Sequence, residues 1–387
     1  MSESILTRLQ AGRNEIHAAK SAFFISGFTF STWVMMIPSV KQSFAIEADV
    51  LGLLLLCIGV SACIAMPMAG VLTRYVSCRR LITAVSLLMS AAVLAVPHLP
   101  AVWAFVPALL LLGASVGTLD VAINLNGVLV ERACGRRIMS SMHAFYCMGM
   151  FLAAGCFSVL ADAAGLPVPW IAAVHVALVL SLLLRYGRYY LDYRADAGQK
   201  QAALPRGAVF FLGVLCCISF LAEGGVMDWG GVLLSEDKGV PLSSAGFGIT
   251  AFSIAEFLAR LPGDRLVRRF GEKPVVLAST AAAAVCFAAI GWAETLPLLM
   301  AFFFLLGTAV ANIVPVMYSL LERQEDMPLG PAVAALTSMG YAGILLGPAF
   351  LGFVAHTFHI AVVFDFLALL VLCQMALAAY TFTKLRP

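Results

Sequence analysis

The chain is a succession of long apolar stretches separated by short polar turns. Twelve runs stand out, at about 17–39, 49–74, 80–97, 100–129, 138–162, 168–189, 207–235, 243–264, 274–293, 297–321, 331–355 and 359–382. A helix needs about 20 residues to cross the ~30 Å hydrocarbon core, so these runs predict twelve transmembrane helices. Several contain Gly or Pro, which bilayer helices tolerate where neighbouring helices satisfy the freed backbone groups. The expected fold class is an all-α polytopic membrane protein.

The fourth run departs most from a lipid-facing pattern. Between Gly113 and Gly149 the sequence carries Asp120, Asn124, Asn126, Glu131 and His143. At 100° per residue, Gly113, Gly117, Asp120, Asn124, Gly127 and Glu131 fall within about 80° of one another, so one helix face collects the carboxylates and most of the glycine. An ionised side chain at the bilayer centre costs roughly 2.5–3.5 kcal/mol on the most lenient scale, so that face points into protein or a wet cavity. Asp120 is read as a proton or substrate site, against the alternative of a buried interhelical hydrogen bond. Glu131, beside Arg132, Arg136 and Arg137 where the run ends, is read as a gating ion pair.

The pattern also repeats at half length. Offsets near 194 residues align Trp33 with Trp229, Gly149 with Gly343, and VLVER (128–132) with SLLER (319–323). Between the halves lies YYLDYRADAGQKQAALPRG, a polar segment read as a linker. The expected organisation is a tail over 1–16, a six-helix bundle over 17–189, a linker over 190–206 and a second six-helix bundle over 207–387.

Composition excludes an ordinary soluble domain: 62% of residues are hydrophobic and 12% charged, with a mean hydropathy of +0.97. The net charge of +3 says little, but its placement says more. Of the 24 Lys and Arg, all but three fall in segments on one side of an alternating topology; Lys41 and Lys238 lie opposite, and Arg260 within a span. That asymmetry places both termini in the cytoplasm and supports an even number of spans. Most of the ten cysteines lie inside predicted spans and none forms a CxxC pair, so neither a disulfide framework nor a metal site is expected. The basic clusters need no nucleic acid to explain them. The first residues are a polar basic tail without a small-residue cleavage site, expected to be retained.

Two six-helix halves in parallel repeat, with a basic turn after the second span of each, resemble the major facilitator superfamily over essentially the whole chain. Gly117, Asp120, Val121, Ala122, Asn124, Gly127, Val130 and Glu131, followed by Arg136 or Arg137, Met139, Ser140, Ser141, His143 and Tyr146, are similar to a pattern in a bacterial subgroup of inner-membrane permeases distantly related to the fucose permease type. The resemblance implies the major facilitator fold and transport by alternating access in the bacterial inner membrane. The chain departs from the superfamily's loop signature. After span two, Arg74 holds the acid position and Ser77 the glycine position; in the second copy Gly271 is kept and Arg268 holds the acid position. Asp264, four residues earlier, is the candidate substitute.

The other polar positions each have two readings. Span seven carries Glu223 and Asp228 among four glycines; the carboxylates lie about 140° apart on a helix unless the glycine pairs unwind it. His143 and Tyr146 share a face of span five, where the imidazole is either a proton relay beside Asp120 or a packed, hydrogen-bonded structural group. Glu256 and Arg260, spaced i, i+4, read as a mutually neutralising pair, with Asp264 a further gating candidate. Trp33 and Trp229 line the cavity or belong to an interfacial aromatic belt. Asn312, Tyr318, Thr337, Ser338 and Tyr341 are unranked candidates for second-half contacts, and Asp365 in span twelve has no evident role.

Helix interiors thus hold several carboxylates, histidine and a single basic side chain already matched to Glu256. This disfavours a strongly anionic substrate and favours a neutral or cationic solute. The expected proton-coupling groups are Asp120, Glu223 and His143; the substrate contacts are Asn124, Tyr146, Trp33, Asp228, Trp229, Asn312 and Tyr341. The expected function is a secondary active transporter, proton-coupled, working by rocker-switch motion of two bundles, as a monomer with a small-molecule substrate and H+ as partners, in the lipid bilayer. Efflux of an amphipathic metabolite or drug, and a non-transporting membrane sensor, stand as alternatives. Without a Walker A run, ATP-driven pumping by this chain is not expected, and without HExxH or GxSxG neither is an enzyme. No cofactor is expected.

Overall fold

The computed structural model describes residues 11–45, 48–194, 204–241 and 246–385. Residues 1–10 of the expected tail and 195–203 of the expected linker lie outside the described residues, and Arg8, Lys200 and Arg386 with them. The helices are α1 (Arg13–Ser43), α2 (Ala48–Leu72), α3 (Cys78–Ala95), α4 (Phe105–Cys134), α5 (Met139–Ser158), α6 (Val168–Tyr186), α7 (Gly207–Val232), α8 (Phe247–Phe270), α9 (Glu272–Trp292), α10 (Leu296–Val310), α11 (Ile313–Leu320), α12 (Leu329–Thr357) and α13 (Ile360–Thr381). Short π-helical turns extend α5 over Val159–Ala163 and α7 over Leu233–Asp237.

Among the described residues, 11 segments are long and apolar enough to cross a membrane, with α10 and α11 together forming one. The eighth expected span differs. It is the helix Phe247–Phe270 of 24 residues, which runs six residues past the end of the expected 243–264; residues 243–245 of that expectation lie outside the described residues. The helix carries Glu256, Arg260, Asp264, Arg265, Arg268 and Arg269, which lower its hydropathy. It continues to Gly271, whose φ of 81° suits a residue without Cβ and ends the helix.

The chain forms two compact units. The first comprises Met1–Arg136, Met142–Ala203 and Pro328–Ala334; the second comprises Arg137–Ser141, Leu204–Met327 and Ala335–Pro387. The first therefore takes in the start of α12, and the second the first residues of α5.

Within each unit the helices pack through glycines at the same repeat offset. A Cβ on Gly113 would collide with the carbonyl oxygen of Ile58, and one on Gly307 with that of Phe252. A Cβ on Gly149 would collide with the carbonyl oxygen of Phe24, and one on Gly343 with that of Cys217. Each glycine and each partner has its counterpart about 194 residues on, so the sequence repeat reappears as repeated helix contacts. In bilayer helices small residues at such crossings let backbones approach, where van der Waals packing substitutes for the missing hydrophobic drive.

Trp103, Trp170 and Trp292 are 73%, 64% and 80% exposed, each at the helix end assigned by the charge pattern to the side poor in Lys and Arg. Such residues form an interfacial belt. Trp33 is not one of them, because it is buried inside the first unit.

Candidate functional site

In the first unit, α4 is helical without interruption over 30 residues, and Asp120 lies halfway along it. Asn124, one turn later, donates from Nδ2 to the Asp120 carbonyl at 2.9 Å and to Oδ1 of its carboxylate at 3.2 Å. Asn124 is the one polar partner of the Asp120 side chain among the described residues. The i, i+4 spacing alone brings the two together. Gly113 and Gly117 seat the same helix on α2, against Ile58 and Ala62. Asn126 points elsewhere, accepting from the Leu191 amide at 3.1 Å. His143 packs its ring on Phe23, centroids 5.1 Å apart, and makes no hydrogen bond to Asp120.

The second unit builds a different arrangement. Glu256 and Arg260 of α8 form an ion pair across one helical turn, both buried. Arg260 also donates from Nε to the carbonyl of Ala311 at 3.0 Å. That carbonyl is available because Pro315, four residues later, has no N–H to continue the helical ladder, and the tenth span breaks there into α10 and α11. Asn312 sits in the break and donates to the Ala259 carbonyl at 3.2 Å. Gly263 admits it, since a Cβ there would collide with Asn312 Oδ1. Irregular backbone at membrane depth requires such compensation from protein groups.

Glu223 of α7 lies in the electrostatic field of both Glu256 and Arg260, and its Oε1 is buried with no hydrogen-bond partner among the described residues. Two carboxylates and one guanidinium leave one negative charge in excess when all are ionised. A single proton makes the cluster neutral. The glycine pairs at 224–225 and 230–231 do not unwind α7, so Asp228 stays on another face and is exposed. Trp229 stands against Gly352, and its Nε1 has no hydrogen-bond partner among the described residues.

At the ends of the spans the second unit contains a charged network. Asp264 accepts from the backbone amides of Ser140 and Ser141 at 2.9 and 3.2 Å, capping the start of α5. A carboxylate there answers both the unpaired amides and the positive helix end. Arg137 pairs with Glu272 at 2.6 Å and Glu322 at 3.1 Å, and Arg323 with Glu272 at 3.0 Å. Arg268 donates to the Arg137 carbonyl at 3.1 Å. At the end of α4, Glu131 is buried and Arg132 and Arg136 are exposed beside it, and Arg137 pairs with Glu272 and Glu322.

The remaining candidates divide. Tyr318 and Thr337 are hydrogen-bonded to each other at 2.8 Å and buried. Tyr341 meets Phe220 edge-on at 6.0 Å, and Tyr146 lies on α5 beside the crossing with Gly27. Asp365 is exposed, one and a half turns from the start of α13 and against Gly291, which places it near an interface rather than at the bilayer centre. Sequence reasoning did not single out Pro315, Glu272 or Glu322. Only Pro315 carried a local signal, a proline inside an otherwise continuous apolar run.

Residues 212–387 match the family profile described as Major Facilitator Superfamily. The chain is 37% identical to an uncharacterised MFS-type transporter of Yersinia pestis, over 96% of both chains. Among solved structures it resembles FucP, the fucose:proton symporter of E. coli, in the outward conformation, with a TM-score of 0.80 at 17% identity over 95% of this chain and 99% of that one. The human organic anion transporter MFSD10 is similar too, with a TM-score of 0.77 at 16% identity over 95% and 99%. At such identities the structural likeness speaks for the fold. Taken with the close relative spanning nearly its full length, it shows that this multi-pass membrane chain belongs to the major facilitator superfamily of transporters.

Proposed function

We propose that this chain is a proton-coupled secondary active transporter that carries a small neutral or cationic solute across the bacterial cytoplasmic membrane by alternating access, with both termini in the cytoplasm. The observation that carries this reading is the cluster of Glu223, Glu256 and Arg260, which has one carboxylate more than it has cations. A carboxylate without a counter-cation is costly at membrane depth, so the cluster takes up a proton, or a cationic solute in its place, and releases it when water reaches it. Asp120, supported only by the neutral amide of Asn124, is a second group able to hold a proton in the same manner. The lack of a surplus basic side chain in this cluster argues against a strongly anionic substrate. Asp228, Trp229, Asn312 and Tyr341 in the second unit, and Trp33, Asn124 and Tyr146 in the first, remain the proposed solute contacts. Asp264, with Glu131, Arg132, Glu256 and Arg260, has the proposed gating role. The protein acts as a monomer without catalytic chemistry of its own.

The test is proton movement in proteoliposomes containing the purified protein and a lumenal pH dye, driven by a gradient of a solute that binds in a thermal-shift screen. Solute-driven pH change across the vesicle is expected, and its loss in Glu223→Gln. Solute flux with a static lumenal pH would overturn the coupling.

A further inference from the structure

In the first unit α3 and α6 pack against one another, and α6 gives way at Gly187–Tyr189 to a short 3-10 turn. Gly187 lies against Thr83 of α3, where a Cβ would stand 3.8 Å from Oγ1. The chain then crosses the start of α3, whose Arg79 donates from Nε to the Tyr190 carbonyl at 2.8 Å and whose Cys78 amide donates to the Tyr193 carbonyl at 2.8 Å. Tyr190, Leu191 and Tyr193 are buried, so the crossing is anchored. Arg79 and Arg80 from one helix are thereby gathered with Arg185 and Arg188 from the end of the other.

These arginines differ in what already engages them. Arg79 is held by the Tyr190 carbonyl and by Asp192, whose carboxylate is 4.0 Å away. Arg185 and Arg188 instead lie over the rings of Tyr186 and Tyr189, at 5.4 and 4.7 Å from the centroids, and Arg188 also donates to the Tyr189 hydroxyl at 2.7 Å. The groups acting on Arg185 are Tyr186 and Tyr189, with no carboxylate among them. Stacking on tyrosine orients a guanidinium without neutralising its charge. Asp192 also lies in the field of Arg80 and Arg194, so one carboxylate faces three arginines and the patch keeps a surplus of positive charge.

That charge stands at the end of two exposed apolar stripes. On α6 Leu180 and Leu184 are exposed, Leu184 to 84%, directly before Arg185. On α3 the exposed Leu87 lies two turns beyond Arg80 on the same helix face. A general bias of basic residues towards one side of the membrane does not account for the cluster, because the positions 194 residues on, Lys273, Pro274, Ala379 and Phe382, carry a single charge. We propose that this patch binds an anionic diacyl phospholipid, its phosphate on Arg80, Arg185 and Arg188 and its acyl chains along the exposed faces of α3 and α6. A guanidinium meets phosphate with two parallel hydrogen bonds, and basic groups between neighbouring spans recognise anionic headgroups in this way.

The test is lipid binding to the delipidated, detergent-purified full chain by native mass spectrometry, with dioleoyl phosphatidylglycerol and dioleoyl phosphatidylcholine titrated in parallel. The first phosphatidylglycerol is expected to bind about tenfold or more tightly than phosphatidylcholine, since each arginine at a headgroup supplies about fivefold. Arg185→Gln with Arg188→Gln should weaken phosphatidylglycerol about thirtyfold and leave phosphatidylcholine unchanged. Arg80→Gln, on the other helix, provides a second variant with a loss of about fivefold. Lys273→Gln with Lys384→Gln removes the same charge from the second unit and should leave the first phosphatidylglycerol in place. Glycerol phosphate, which has the headgroup charge and no acyl chains, should not displace the lipid at equal concentration. Equal binding of the two lipids, equal weakening in the two double variants, no weakening in any variant, or displacement by glycerol phosphate would each overturn the proposal.

Discussion

The fourth and tenth spans occupy matched places in the repeat, yet they handle polar groups in opposite ways. In α4 the position 194 residues before Pro315 is Val121, whose N–H keeps the helical ladder intact, and the polar pair Asp120 and Asn124 is joined within one turn of the same helix, with Asn124 Oδ1 buried and without a hydrogen-bond partner among the described residues. In the tenth span Pro315 breaks the ladder, and the freed Ala311 carbonyl is met from α8 by Arg260. The first arrangement is self-contained. The second ties three functions to one guanidinium: neutralising Glu256, satisfying backbone and setting the field at Glu223. A charge change at Asp120 should therefore alter protonation alone, whereas a change at Arg260 should alter the fold.

The largest effect is expected at that guanidinium. Arg260→Ala leaves a buried carboxylate and a freed carbonyl without their partner, and should destabilise the protein by about 3–5 kcal/mol, seen as loss of folded protein on size-exclusion chromatography. Glu256→Gln strands Arg260 and should lower the thermal midpoint in the same direction; an unchanged midpoint in either variant would dissolve the contrast between the spans.

Next come the paired glycines. Gly113→Ala and Gly307→Ala both drive a methyl into a carbonyl of the neighbouring helix, and each should cost about 1–3 kcal/mol by denaturant titration. Similar losses would support the repeat as a packing unit; a loss in one half only would show that the two contacts have diverged in strength. Smaller still is the effect of Asp264→Ala, which removes the cap on the first amides of α5 and should cost about 1 kcal/mol. Asp264→Asn keeps an acceptor there and should recover part of it, as read by hydrogen exchange at Ser140 and Ser141.

Much of this architecture was legible in the sequence, because length and hydropathy decide spans and glycine spacing decides which helix faces approach. The i, i+4 spacing of Glu256 and Arg260 likewise gave their pairing directly. The eighth span was ended six residues short because hydropathy falls where charges enter, while the helix itself stops only at Gly271. The neighbour of His143 was not legible: rotation of α5 against α1 puts Phe23 beside it, and nothing in local periodicity reports the rotation. Trp33 shows the same limit, its burial being set by helices distant in sequence. The ion pairs of Arg137 with Glu272 and Glu322 join residues more than a hundred positions apart, beyond any spacing rule. The break at Ala311 could have been read, since a proline four residues on removes its donor.

The measurement that bears most directly on proton coupling is the affinity of a transported solute at pH 5.5 and pH 8, compared among the unaltered protein, Glu223→Gln and Asp120→Asn, by ligand-induced thermal stabilisation. A pH-dependent affinity that flattens in Glu223→Gln, with both variants folded, is the predicted result. The Asp120→Asn variant shows whether the first unit shares the proton. An affinity that does not change with pH in the unaltered protein, or keeps its full pH dependence in both variants, would contradict coupling through these carboxylates.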